Sequence, residues 1–175
     1  VEAELRWISP SVYWWSLPAE PIDQAGMERS ATSFESRTAP LVKSIFGLDS
    51  VPQVGGDDRI HVLNAKVQGA GAYFSSVDMV SRSVHPNSNE RALIVMGTDS
   101  FRPGTSAYDE TLGHEFLHML HWSVSPVTET WFDEGLAEVV AALLRGTPSA
   151  ASSYARRTDR SLLAWSNEPA SFAGQ

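Results

Sequence analysis

Residues 114–121 read HEFLHMLH, and this stretch decides how the rest of the chain is understood. Three of the chain's five histidines fall in these eight positions, together with one glutamate. On an α-helix, residues four apart are offset by about 40° and one turn, so His114 and His118 present two imidazoles to a common point. Glu115 lies about 100° round from His114, on the side where a water at that point would sit. Leu112, Phe116, Met119 and Leu120 occupy the other face, which predicts a helix buried along one side with its histidine edge lining a cleft. A metal-free helix with satisfied histidines can carry the same letters. HExxH arises by chance in about one chain in a hundred of this composition, so the motif needs support from elsewhere in the sequence.

That support comes from the segment 131–145, WFDEGLAEVVAALLR, which predicts a second helix starting after Thr128 or Thr130 and stopping at Gly146-Thr147-Pro148. Glu134 and Glu138 are four apart and share a face, while Leu136, Val139, Val140 and Leu143 are expected to pack inward. A catalytic zinc site takes three protein ligands and leaves one position open, so two histidines and one of these acids would complete it. With no cysteine in the chain, zinc could be held only by His and carboxylate.

HEFLH followed by WFDEGLAE resembles the gluzincin zinc metallopeptidases, and is most similar to hyicolysin-like bacterial peptidases. The likeness extends upstream to YFSSVDMVSRSVHPNSNERALIVMG and downstream to LLAWSNEPASFAG, roughly residues 59 to 175. It implies a zincin-like α+β catalytic domain with a backing helix, a small mixed β-sheet, the HExxH helix and a following glutamate helix. It implies Zn²⁺ as cofactor, His114, His118 and Glu134 as ligands, Glu115 as the general base, and Glu138 as an acid supporting the first zinc histidine. One departure stands. Glu134 follows His118 by 16 residues, whereas Glu138, at 20, fits thermolysin-like spacing better. Glu134 is favoured by its Asp-Glu-Gly context at a helix start, and Glu138 remains the alternative ligand.

The resemblance further implies hydrolysis of peptide bonds through a zinc-bound water activated by Glu115, in a secreted bacterial protein. Substrate would add as a strand to the sheet edge, for which Ala72, Tyr73 and Phe74 are the candidates. Aminopeptidases of the superfamily place a glutamate in that segment. AGAYFSS has none, which favours an endopeptidase. Tyr154, the one tyrosine downstream of the helices, is the candidate oxyanion donor, with a surface aromatic as the plain alternative. His121 lies on the His114 side but about 10 Å along the axis, too far to share one ion, and is read as structural or as cleft wall. The rival function is a zinc-binding or cell-surface module that keeps the metal site without catalysis.

The remaining sequence is consistent with one such domain. At 175 residues and 42% hydrophobic, the chain suits a single core. A net charge of −8 with no Lys/Arg run argues against nucleic acid or an anionic membrane surface, and no apolar run reaches membrane-spanning length. A peptide or protein substrate remains. Residues 1–22 mix aromatics with three prolines and are expected to be extended without regular structure. Residues 23–46 predict one helix or two short ones broken at Pro40, residues 59–67 and 70–80 predict strands, and 92–96 a buried central strand. Ser106 with Asp109 reads as a capping pair for the first site helix. Gly55-Gly56-Asp57-Asp58 is read as a solvated turn, with calcium as a lesser alternative. The chain begins Val1-Glu2, as a trimmed or processed chain would, and its end lacks a stop signal, so the domain is expected to continue past Gln175. Elemental analysis of the purified chain should return one zinc per molecule; finding none would leave HEFLH a fortuitous match.

Overall fold

The aromatic N-terminal segment, expected to be irregular, forms two strands: β1 (Glu4–Ile8) and β2 (Val12–Ser16). The two-residue alternation is real but hidden, because both faces of VYWWS carry large side chains. Val12, Trp14 and Ser16 are buried inward, while Tyr13 and Trp15 point to the other face, where Trp15 stacks on His61 at 5.9 Å. The computed structural model describes residues 2–18, 20–51 and 56–146.

Three further strands complete one sheet: β3 (Ile60–Ala65), β4 (Ala72–Phe74) and β5 (Leu93–Gly97). Their order is β1-β2-β3-β5-β4, with β2, β3 and β5 parallel and β1 and β4 antiparallel at the two edges. The fold is therefore α+β with a mixed sheet. The strand expected over residues 70–80 is shorter than its sequence pattern, ending at Phe74 before a 3₁₀ turn over Ser76–Met79. Asp78 in that turn is buried and holds the following loop by accepting from the backbone and side-chain nitrogens of Asn89.

Residues 24–46 run as one helical stretch: α1 (Gln24–Ser33), a π turn (Phe34–Thr38) and α2 (Ala39–Phe46). The wider π turn absorbs Pro40, whose missing N–H would otherwise break the ladder. This stretch and α3 (Ser106–Val124) cover the inward face of the sheet. Phe34 meets Trp14 of β2 edge-on at 6.4 Å and Phe116 of α3 at 5.0 Å, so one aromatic contact joins sheet, backing helix and site helix. The buried Tyr108 hydroxyl donates to Asn64 Oδ1 at 2.8 Å, which pins the start of α3 to β3. Leu112, Phe116, Met119 and Leu120 are all buried, as their helical spacing predicts. The cap of α3 is Thr105, whose hydroxyl accepts from Tyr108 N, and not the Ser106–Asp109 pair. Asp109 is drawn away to Ser30 Oγ on α1.

The last described helix, α4 (Thr130–Arg145), packs on α3 through Ala137, Val140 and Leu144. Val139 and Leu143, expected inward, are half exposed. Gly113 explains the rotation. A methyl added there would lie 2.4 Å from Leu144 Cδ1 and 3.5 Å from Val140 Cγ1, so the helices touch along the Val140–Leu144 ridge. Arg37 from the π turn donates to the carbonyls of Leu143 and Leu144, and Arg145 pairs with the buried Glu110 of α3. Both contacts fix the far end of α4, which terminates at the left-handed Gly146. No described helix is long and apolar enough to cross a membrane.

Gly97 ends β5 where its N–H bonds Gly71 O at 2.8 Å, and a Cβ there would meet that carbonyl oxygen at 2.4 Å. Gly97→Ala should therefore push β4 away and cost about 1–3 kcal/mol, read as a lowered unfolding midpoint. Gly135→Ala, where nothing lies within 4 Å, should leave stability unchanged or raise it by up to about 1 kcal/mol.

Candidate metal centre

His114 and His118 sit one turn apart on α3 with their rings 4.7 Å apart and nearly perpendicular. Their Nε2 atoms converge to 3.0 Å. From the first turns of α4, Glu134 Oε2 reaches 3.4 Å from His114 Nε2 and 3.7 Å from His118 Nε2. An ion with metal–ligand bonds of about 2.0–2.1 Å in tetrahedral geometry spaces its ligand atoms about 3.3 Å apart, and the three observed edges bracket that value. Two imidazoles and one carboxylate with a side open to the cleft is a donor set that suits zinc. Among the described residues, this is the one group of three His or acidic side chains close enough to share an ion.

The two acids of α4 take different positions. Glu138 Oε1 lies 3.8 Å from His114 Nδ1, the nitrogen facing away from the convergence point. Only Glu134 reaches both Nε2 atoms. The neighbour that the sequence reading passed over is Asp133, whose Oδ2 lies 2.9 Å from His118 Nδ1 and whose Oδ1 lies 2.6 Å from His121 Nδ1. Asp133 was visible in the Asp-Glu-Gly context, but nothing in linear spacing says that it bridges two imidazoles three residues apart on another helix.

Charge is concentrated here. Although burial alone would lower it, hydrogen bonds to Asp133 and Glu134 and their negative charge push the His118 imidazole up to about 10. The two imidazoles hold Glu134 down to about 2. Burial would raise Asp133, but the bonds from His118 and His121 outweigh it and keep the carboxyl below its ordinary range. A field that holds a proton this firmly also attracts a cation.

Glu115 stands apart from these pairs. It is buried, and its Oε2 accepts from Phe74 N of β4 at 2.9 Å, so the acid forms the wall between α3 and the sheet edge. Burial raises its carboxyl above the ordinary value, opposed in part by the nearby histidines and the Phe74 N–H. The Phe74 N–H therefore points across the cleft and not toward β5. In an antiparallel edge strand this turns the Phe74 C=O and both backbone groups of Ala72 the same way, with Tyr73 facing β5. The cleft, about 490 Å³, is lined by Ala72, Tyr73, Phe74, His114, Glu115, His118, Trp122, Asp133 and Glu134 among others.

The chain matches no family model and no curated protein. What the site can do must be read from its own geometry. Tyr154 lies outside the described residues, so its relation to the cleft is not part of that geometry. His121 is buried, stacked on Phe46, and 2.6 Å from Asp133, away from the point where the three donors converge. Asp57, in the turn weighed for calcium, is engaged by the Tyr13 hydroxyl at 2.8 Å and by Arg59 N at 3.0 Å.

A carboxyl whose folded-state pKa lies above its unfolded value favours folding while protonated, and that contribution is lost as pH rises through the folded value. Above the ordinary carboxylate range, the burial of Glu115 thus works against folding. With a chelator present, Glu115→Gln should raise the unfolding midpoint at neutral pH, because the amide oxygen still accepts from Phe74 N. The gain should shrink on acidification; a variant equally or less stable at neutral pH would contradict the assigned burial cost.

Proposed function

We propose that the chain is a zinc-dependent metallopeptidase that hydrolyses internal peptide bonds. The observation that carries this reading is Glu115. Holding an ion requires His114, His118 and Glu134 alone, yet a further acid, Glu115, is buried beside them at the cleft wall against the edge strand β4, in no salt bridge among the described residues. A purely structural metal site has no use for such a group. The gluzincin likeness of HEFLH and WFDEGLAE supports the same assignment, with a zincin-like fold.

His114 and His118, with Glu134, would hold Zn²⁺. The ion would supply Lewis acidity toward the scissile carbonyl and lower the pKa of water in the cleft. Glu115 accepts the proton as the water oxygen bonds to the carbonyl carbon. It then delivers that proton to the amide nitrogen as the C–N bond breaks, leaving a carboxylic acid and an amine. Its raised pKa makes it a better proton acceptor than an ordinary carboxylate, which serves the half of the task in which water is activated. The outward backbone groups of Ala72 and the Phe74 C=O would orient the substrate as an added strand, while the Phe74 N–H is held by Glu115. Tyr73, Phe74 and Trp122 give the cleft an aromatic lining, while Asp133 and Glu134 make it acidic, which favours apolar or basic side chains near the cleaved bond over acidic ones.

Unfolded casein incubated with the zinc-loaded chain should be cleaved, and Glu115→Gln should abolish that cleavage while one zinc per chain stays bound. Glu134→Ala should lose tight zinc binding; Glu138→Ala should weaken it by about 10–100-fold. A zinc-loaded wild type without hydrolytic activity would favour the non-catalytic module, and zinc lost by Glu138→Ala but kept by Glu134→Ala would reverse the ligand assignment.

A further inference from the structure

We propose that His121 is a positioning residue for the candidate metal ligand His118, acting through the Asp133 carboxylate. The inference rests on the metal-site reading above and extends it to a residue that touches neither ion nor substrate. A buried histidine three residues after a ligand is ordinarily a packing residue, and the geometry here goes beyond packing.

Both oxygens of Asp133 are committed to imidazoles, Oδ2 to His118 Nδ1 at 2.9 Å and Oδ1 to His121 Nδ1 at 2.6 Å. A carboxylate held at one oxygen can still rotate about its Cβ–Cγ bond, whereas one held at both has its plane fixed. Asp133 needs that restraint: it sits in the first turn of α4 with its side chain a third exposed. His121 supplies it from a rigid seat. Its ring stacks on Phe46 at 5.6 Å and 20°, meets the edge of Phe132 at 5.9 Å, and has Thr128 Oγ1 3.5 Å from Nε2. The side chain itself is only 7% exposed.

The consequence falls on His118. A carboxylate only accepts, so Nδ1 of both histidines carries a proton; in the neutral His118 ring that a metal ion would require, the Nε2 lone pair then faces His114 and Glu134. Fixing the Asp133 plane fixes the His118 ring plane, and with it the direction of the donor pair. The packed end of α2 thereby sets the aim of a ligand on α3, with Asp133 on α4 as the link.

The test is a double-mutant cycle on the full chain, with Zn²⁺ affinity measured by chelator competition and the visible spectrum of the Co²⁺ form as a geometric readout. His121→Phe should bind Zn²⁺ about tenfold more weakly and alter the Co²⁺ bands. His121→Asn, which keeps a donor near the Nδ1 position, should stay within about threefold of wild type. Asp133→Ala should lose about 10–100-fold, and the double variant His121→Phe/Asp133→Ala should bind within about twofold of Asp133→Ala alone. Losses that multiply in the double variant, or a His121→Phe affinity within twofold of wild type, would overturn the proposal. If His121→Phe fails to fold with chelator present, the decision passes to His121→Leu in the same cycle, with the same criteria. A wild type that binds no Zn²⁺ would instead remove the metal-site reading, a result distinct from unaltered affinity in the variants.

Discussion

Where α4 crosses α3 at Gly113, the absence of a side chain lets Leu144 and Val140 settle against the helix backbone. The candidate site depends on this approach. An interior glycine disfavours a helix by about 1 kcal/mol relative to alanine, so its place immediately before His114 has a packing reason. With the helices close, Glu134 on the first turns of α4 brings an oxygen within 3.4 and 3.7 Å of two imidazole nitrogens. Arg37 at the carbonyl end of α4 and the Glu110–Arg145 pair hold the other end of the same contact. The distance between the two helices is thus set away from the site and read out within it.

Inside that frame, charge is arranged in two grades. Asp133 and Glu134 are tied to imidazoles and kept below the ordinary carboxylate range, so they remain anionic and favour a cation. Glu115, one residue from His114 in the chain, faces the opposite wall and is raised by burial. Carboxyls of one kind thereby acquire different proton affinities from their surroundings alone, which is the separation that an acid–base group beside a cation site requires. The cost is a buried acid at the cleft wall of a small domain, of the sort that stability alone would not select.

The sheet contributes direction. Its three parallel strands are buried at the centre and its antiparallel edge strand β4 faces α3, so the strand edge beside the histidines is also the one whose N–H meets Glu115. The close contact of Gly97 with the Gly71 carbonyl fixes β4 at that place. Legibility varied along these elements. The buried stripe Leu112, Phe116, Met119 and Leu120, the strand over 60–65 and the pairing of His114 with His118 follow from periods of 3.6 and 2, and the strand over 93–97 from an unbroken apolar run. β1 and β2 did not, because tryptophans and tyrosine on both faces erase the contrast on which period-2 reading depends. The inward face of α4 was misread for a related reason: with apolar residues at 136, 137, 139, 140, 143 and 144, several stripes are equally apolar, and Gly113 on another helix chooses among them.

By itself, the sequence determined what is local: helix and strand periods, the turn-spaced histidines, and the identity of the acids available to join them. Tertiary structure decided which acid faces which nitrogen, because that depends on the separation and rotation of two helices, quantities set by small contacts at Gly113, Arg37 and Glu110. It also decided the role of Asp133, for which neighbours in space count and neighbours in sequence do not. His121 divides along the same line. Its helical phase and distance from His114 follow from the chain, but its contact with Asp133 exists only because α4 folds back over α3 and sets one carboxylate between two rings.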